Sequence, residues 1–158
     1  MYASHGIGRV EARRPGAGEL PETVALVFES GLRVTLPLSR ALDALRPPSS
    51  ELELEDVRRT LRADAPPPVE PWSRRYRAAR EKVVAGEVTA LAEVVRDELQ
   101  REQRRVAGAS GRPSAPSDRQ LFVQARKLLA AEVALCRGIE VAAADAWIVD
   151  QVAEDSLA

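Results

Sequence analysis

Trp72 stands at the head of a run of cations. Arg74, Arg75, Arg77, Arg80 and Lys82 follow it, only Glu81 opposes them, and a proline-rich stretch comes directly before. Core tryptophans usually sit among apolar neighbours. Guanidinium groups bind phosphate oxygens and fix register on a nucleic-acid backbone, while an indole can stack on, or wedge between, exposed bases. This spacing therefore suggests a surface that meets something negatively charged.

Other chemistries find little support. His5, the one histidine, sits beside Gly6 and reads as a turn residue, and no Ser or Cys has a plausible base partner in the sequence. Gly6 and Gly8 in "HGIG" lack the preceding strand and following helix of a phosphate-binding loop, and no Gly-Lys-Ser/Thr occurs, so they read as turn and bulge glycines. The acid pairs Glu53/Glu55 and Asp97/Glu98 fall on helix faces expected to be solvated. A lone Cys136 permits no intramolecular disulfide and no cysteine metal cluster. The expectation is a binding protein, not an enzyme, with no cofactor and no metal.

The bulk numbers agree. A chain of 158 residues with 45% hydrophobic content is long enough for one ordinary domain or two small ones. No apolar run approaches a membrane span, and the opening "MYASHGIGRV" lacks the basic and apolar regions of a secretory signal, so a cytoplasmic monomer is expected. Net charge is −1, but the charges are segregated. The segment from Trp72 and the run "REQRR" at 101–105 are basic, whereas 139–158 carries five acids and no Lys or Arg. A basic patch can thus exist on a nearly neutral protein.

Two periodicities divide the elements that must position these residues. Between Gly8 and Pro37 the apolar residues alternate. "TVALVF" (23–28) and "LRVTL" (32–36) read as a hairpin around "ESG", preceded by a strand at Gly8 to Ala12 and a Gly/Pro loop at 15–21. After Pro47 and Pro48 the period becomes helical. "SSELELEDVRRTLRA" has a Ser cap, early acids and a Leu52, Val57, Leu61 stripe. The stretch 64–71 reads as a stiff linker ending in a proline suited to a helix start. The next helix places Trp72, Tyr76, Ala79 and Val83 on one face and pauses at Gly86. A helix from Val88 to about Val106 buries Leu91, Val94, Val95 and Leu99, and a loop at 108–118 closes on a Ser117/Gln120 capping box. Helices at about 119–136 and 141–154 complete an α+β fold. Its expected organisation is a β module over 1–48 and a helical module over 49–158.

Trp72 itself admits two readings. It can be a half-buried anchor packing with Tyr76, since large aromatics are mostly buried. Alternatively it faces out while Tyr76, one turn further on, holds the core.

The phrase "PWSRRYRAAREKVVAGEVTALAEVVRDELQREQ" (71–103) resembles the CarD, or CdnL-like, family of bacterial transcription regulators, in particular its actinobacterial members. "YASHGIGRVEA" (2–12), "LRVTLP" (32–37) and "ARKLLAAEVAL" (125–135) occur in the family's order, so the likeness spans nearly the whole chain. The resemblance implies a Tudor-like N-terminal module that binds the β subunit of RNA polymerase, and a helical module that contacts promoter DNA at the upstream edge of the bubble. It implies that Trp72 is a minor-groove wedge, that Arg74, Arg75 and Arg77 are its phosphate neighbours, and that Arg119 is a further DNA-facing cation. The polymerase contact it implies lies on "LRVTLP", through Arg33 and Thr35, with the loop arginines Arg13 and Arg14. Thr35 stands where actinobacterial relatives tend to carry Arg, with Arg33 on the same face. The protein would then be nucleoid-associated through polymerase. The other reading is a protein-interaction module that keeps the fold without engaging polymerase.

Overall fold

The structure, a computed structural model, describes residues 1–2, 5–65, 71–108 and 113–153. Three antiparallel strands, β1 (Gly8–Arg14), β2 (Thr23–Phe28) and β3 (Arg33–Pro37), form one sheet in the order β1-β2-β3. β2 is central and has the cleanest alternation: Val24, Leu26 and Phe28 are buried, and the residues between them are half-buried. The β2–β3 turn closes with Phe28 N–H donating to Leu32 at 3.0 Å, and Gly31 takes a φ of 80° that side chains disfavour. β1 runs two residues further than its pattern suggests, so Arg13 and Arg14 are strand residues opposite Val24 and Thr23, not loop residues. The bulge falls between Val10 and Ala12, not at Gly8. Gly8 is small for another reason, since a Cβ there would come within 2.8 Å of the Phe28 ring.

A short helix, α1 (Leu38–Ala44), follows β3 without a break and has no counterpart among the elements expected from periodicity. Ala41 is buried against the sheet, and Leu38 and Leu45 pack beside it, which closes a small apolar cluster with Val24, Leu26 and Phe28. Three strands alone are marginal, and this helix supplies the missing cover.

The helical part comprises α2 (Glu51–Arg62), α3 (Trp72–Ala85), α4 (Val88–Val106), α5 (Pro116–Arg137) and α6 (Val141–Ala153), packed around a second apolar cluster. α2 opens with a capping box: the Ser50 hydroxyl accepts from Glu53 N–H, and the Glu53 carboxylate accepts from Ser50 N–H at 2.7 Å. Its buried stripe is Leu54, Val57 and Leu61, whereas Leu52 is 81% exposed. A spacing of five residues puts Leu52 well round the helix from Val57, while Leu54 is three residues away and on the same side. At the other end of α2, Arg96 donates to the Thr60 carbonyl at 3.3 Å and Gln100 to that of Ala63 at 3.0 Å, satisfying carbonyls the helix leaves free. The expected Ser117/Gln120 capping box does not form. Proline is preorganised for a helix's first turn, so α5 starts at Pro116 behind Ala115 with no side-chain cap. The linker at 64–71 and the loop at 108–118 lie partly outside the described residues. Pro71 is the N-cap of α3.

Sheet and helices meet at Arg46, between α1 and α2. Its guanidinium donates to both carboxylate oxygens of Glu132 on α5, at 2.5 and 2.7 Å, and to the Gly86 carbonyl between α3 and α4 at 2.7 Å. Ser49 adds its N–H and hydroxyl to the same carboxylate, at 3.0 and 2.6 Å. Glu132 is wholly buried.

Candidate nucleic-acid interface

The apolar face of α3 runs through Tyr76, Ala79 and the buried Val83, and Trp72 continues that face past the point where the core ends. The indole is 47% exposed. It stacks on Tyr76 with ring centroids 5.3 Å apart and an interplanar angle of 21°. Its Nε1–H donates to Asp118 Oδ2 at 2.9 Å. Tyr76 is half-buried, and Trp72 leans on it while presenting surface to solvent.

That hydrogen bond sets the starts of α3 and α5 side by side. Neither start has a side-chain cap, so the positive ends of two helix dipoles lie next to each other. Arg74 and Arg77 are exposed and, among the described residues, carry no ion pair. Two and five residues beyond Trp72, they lie on the outer side of α3, about 160° and 140° round its axis. The indole and these two cations therefore straddle the helix start. Arg119 is exposed on α5 next to Asp118.

Arg75 differs from its neighbours. It is half-buried, its Nε is sealed from solvent, and it is engaged within the protein. The "REQRR" run also contributes less free charge than its composition suggests, because Arg101 pairs with Glu98 at 2.6 Å and Arg105 with Glu102 at 2.5 Å. Arg105 holds the Glu102 carboxyl below the usual carboxylate range, with a smaller pull from Arg119. Glu98, expected on a solvated face, is only 15% exposed at its side chain and accepts from the Ser114 hydroxyl.

The remaining predicted residues lie on the sheet. Arg33 and Thr35 are exposed on β3, and no strand pairs the outer edge of β3 among the described residues. The bonds Phe28 N–H to Leu32 and Leu38 N–H to Glu22 set the hydrogen-bonded pairs of the β2–β3 ladder. By the antiparallel alternation, the backbone groups of Arg33 and Thr35 then point to the open edge. Arg33 pairs with Glu11 at 3.2 Å and Arg13 with Glu22, while Arg14 is exposed.

Residues 56–149 match the family model for the C-terminal domain of CarD, which is more than half of the sequence. The chain belongs to the CarD family. The CarD match takes in Trp72, Arg74, Arg75, Arg77, Asp118 and Arg119; the β-sheet residues lie before it. The chain is also 25% identical over 143 residues to "Putative transcription factor YdeB" of Bacillus subtilis (strain 168), an alignment that covers 88% of this chain and 89% of that protein.

Asp118, the partner of Trp72, was not singled out by sequence reasoning. It lies 46 residues away along the chain, and only the packing of α3 beside α5 brings it to the indole.

Proposed function

We propose that this CarD-family chain is a cytoplasmic transcription regulator that docks on RNA polymerase and stabilises the open promoter complex. Residues 1–48 form the polymerase-binding module, which offers the β3 edge to the β subunit. Residues 49–158 form the DNA-binding module, whose α3 start reaches the upstream edge of the bubble. The observation that carries this reading is the position of Trp72, 47% exposed and stacked on Tyr76 at a helix start whose outer side carries the exposed Arg74 and Arg77, which have no ion pair among the described residues.

The physics fits a protein with weak DNA affinity of its own. A few phosphate contacts give weak, salt-sensitive binding. Docking on polymerase would raise the local concentration of the patch at the DNA to roughly millimolar. An indole that engages only unstacked or distorted DNA stabilises the melted state over the closed one by its differential affinity. Arg74, Arg77 and Arg119 act as phosphate contacts. Arg75, half-buried, supports the helix start, a change from the role the resemblance implies for it.

A second reading is a protein-interaction module that keeps the fold without polymerase. It is favoured by the ion pairs that tie Arg33 and Arg13 to Glu11 and Glu22 within the sheet. The two are separated by pull-down of RNA polymerase from the native host, followed by open-complex lifetimes measured with and without the protein. Co-purification and a longer lifetime support the first reading, and loss of both supports the second.

A further inference from the structure

We propose that Asp118 is a positioning residue for Trp72, fixing the indole in one orientation and occupying its only hydrogen-bond donor. This inference rests on the DNA-contacting role given to Trp72 above. Trp72 is the first residue of α3 and extends past the core, a place where a side chain ordinarily samples several rotamers. Two contacts remove that freedom. Tyr76 covers one face of the ring, and Asp118 Oδ2 accepts Nε1–H at 2.9 Å. Asp118 is itself held: its side chain is only 14% exposed, it lies in the first turn of α5, and Arg101 approaches it to 4.0 Å.

The first consequence is preorganisation. A free tryptophan would lose rotamer entropy on entering DNA, whereas this one is ordered beforehand. The second concerns specificity. Indole has one N–H donor and no acceptor. With that donor committed to Asp118 and one face committed to Tyr76, Trp72 offers DNA a single open π face. It therefore recognises an unstacked base by stacking, without reading a base edge.

A carboxylate beside a DNA-contacting patch repels phosphate, which explains why the test must separate charge from hydrogen bonding. Asp118→Ala and Asp118→Asn remove the same charge, but only Asn keeps an acceptor for Nε1–H. In a Trp147→Phe background, where indole fluorescence reports Trp72 alone, the anisotropy of the free protein should fall in Asp118→Ala and stay near wild type in Asp118→Asn. With host RNA polymerase and a promoter, the increase in open-complex lifetime should shrink about threefold to tenfold in Asp118→Ala and recover in Asp118→Asn. Asp118→Leu, close in shape and without an acceptor, repeats the comparison should the alanine variant melt below the assay temperature. If Ala and Asn variants behave alike in both readouts, Asp118 does not act through the indole and the proposal is overturned. If Trp72→Ala leaves the lifetime unchanged, the DNA role of Trp72 fails instead, and the anisotropy comparison alone decides whether Asp118 orients the ring.

Discussion

Arg46 and Glu132, 86 residues apart in sequence, form a two-pronged ion pair in which both carboxylate oxygens accept from the guanidinium, at 2.5 and 2.7 Å. Such fork-to-fork pairing fixes orientation as well as distance. Because Arg46 also holds the Gly86 carbonyl, one side chain joins the segment after the sheet to α5 and to the α3–α4 turn. The pair thereby ties the segment after the sheet to the helices. Arg46→Ala strands a buried carboxylate whose remaining donors, among the described residues, are the N–H and hydroxyl of Ser49. Since the Arg46 side chain is 30% exposed, the loss should be at the lower end for a broken buried pair, about 3 kcal/mol. Chemical denaturation with separate probes in sheet and helices would measure it. A change below about 0.5 kcal/mol, the range of ordinary surface substitutions, would show that the pair is dispensable.

The capping box of α2 predicts a pH effect of known sign. Hydrogen bonds from the Ser50 N–H and hydroxyl hold the Glu53 carboxyl below the usual carboxylate range. A depressed folded-state pKa contributes stability that is fully present above the ordinary carboxylate pKa and is lost as pH falls through the depressed value. Ser50→Ala should destabilise by about 1 kcal/mol at neutral pH, and the difference from wild type should narrow in acid. Melting curves of both proteins at neutral and acidic pH check this, and a constant difference would contradict it.

The arginines after Trp72 should separate into two classes. Arg74→Ala, Arg77→Ala and Arg119→Ala should each lower the salt dependence of DNA engagement, by about 0.9 in the log–log slope for each phosphate no longer neutralised, with little change in melting. Arg75→Ala should instead cost about 1 kcal/mol of stability. Filter binding across a salt series beside thermal melts would resolve the classes. An unchanged slope in the triple variant would return those residues to a solvated face.

The β3 edge gives a prediction for polymerase docking. If backbone pairing supplies affinity and side chains tune it, Arg33→Asp with Thr35→Asp should weaken polymerase capture. Repulsion between Glu11 and the carboxylate introduced by Arg33→Asp adds to the effect on this face but leaves α2 to α6 untouched. Unchanged capture, with the variant folded by circular dichroism, would favour the second reading.

Much of this architecture was legible in the sequence, and the failures share a cause. The alternation in "TVALVF" named β2 residue for residue, and Gly86 marks the α3–α4 turn where it was expected. Local periodicity carries such features because neighbours in sequence share a face. α1 escaped because its seven residues continue directly from β3, which ends at Pro37, and its apolar residues become a stripe only once the sheet lies beneath them. Asp118, Glu132 and Gln151 escaped for a related reason. Gln151 accepts from Arg58 and Arg62 at 3.2 and 3.0 Å, and a buried polar residue on a helix has no local mark that distinguishes it from a solvated one. Their partners lie tens of residues away. The arginine-rich phrase at Trp72 was conspicuous, but sequence could not show that Arg75 turns inward while Arg74 and Arg77 face out.

The most direct test of the account is Trp72→Ala, assayed for melting and for promoter opening on the same preparation. An indole that is 47% exposed and held by one stack and one hydrogen bond should cost about 1 to 2 kcal/mol on removal, against about 3 to 5 for a buried aromatic. The variant should therefore stay folded at assay temperature and still bind polymerase, yet lose most of its effect on open-complex lifetime. Trp72→Phe should recover part of that effect through the remaining aromatic face. A large fall in melting temperature, with activity lost only in proportion to unfolded protein, would contradict the account.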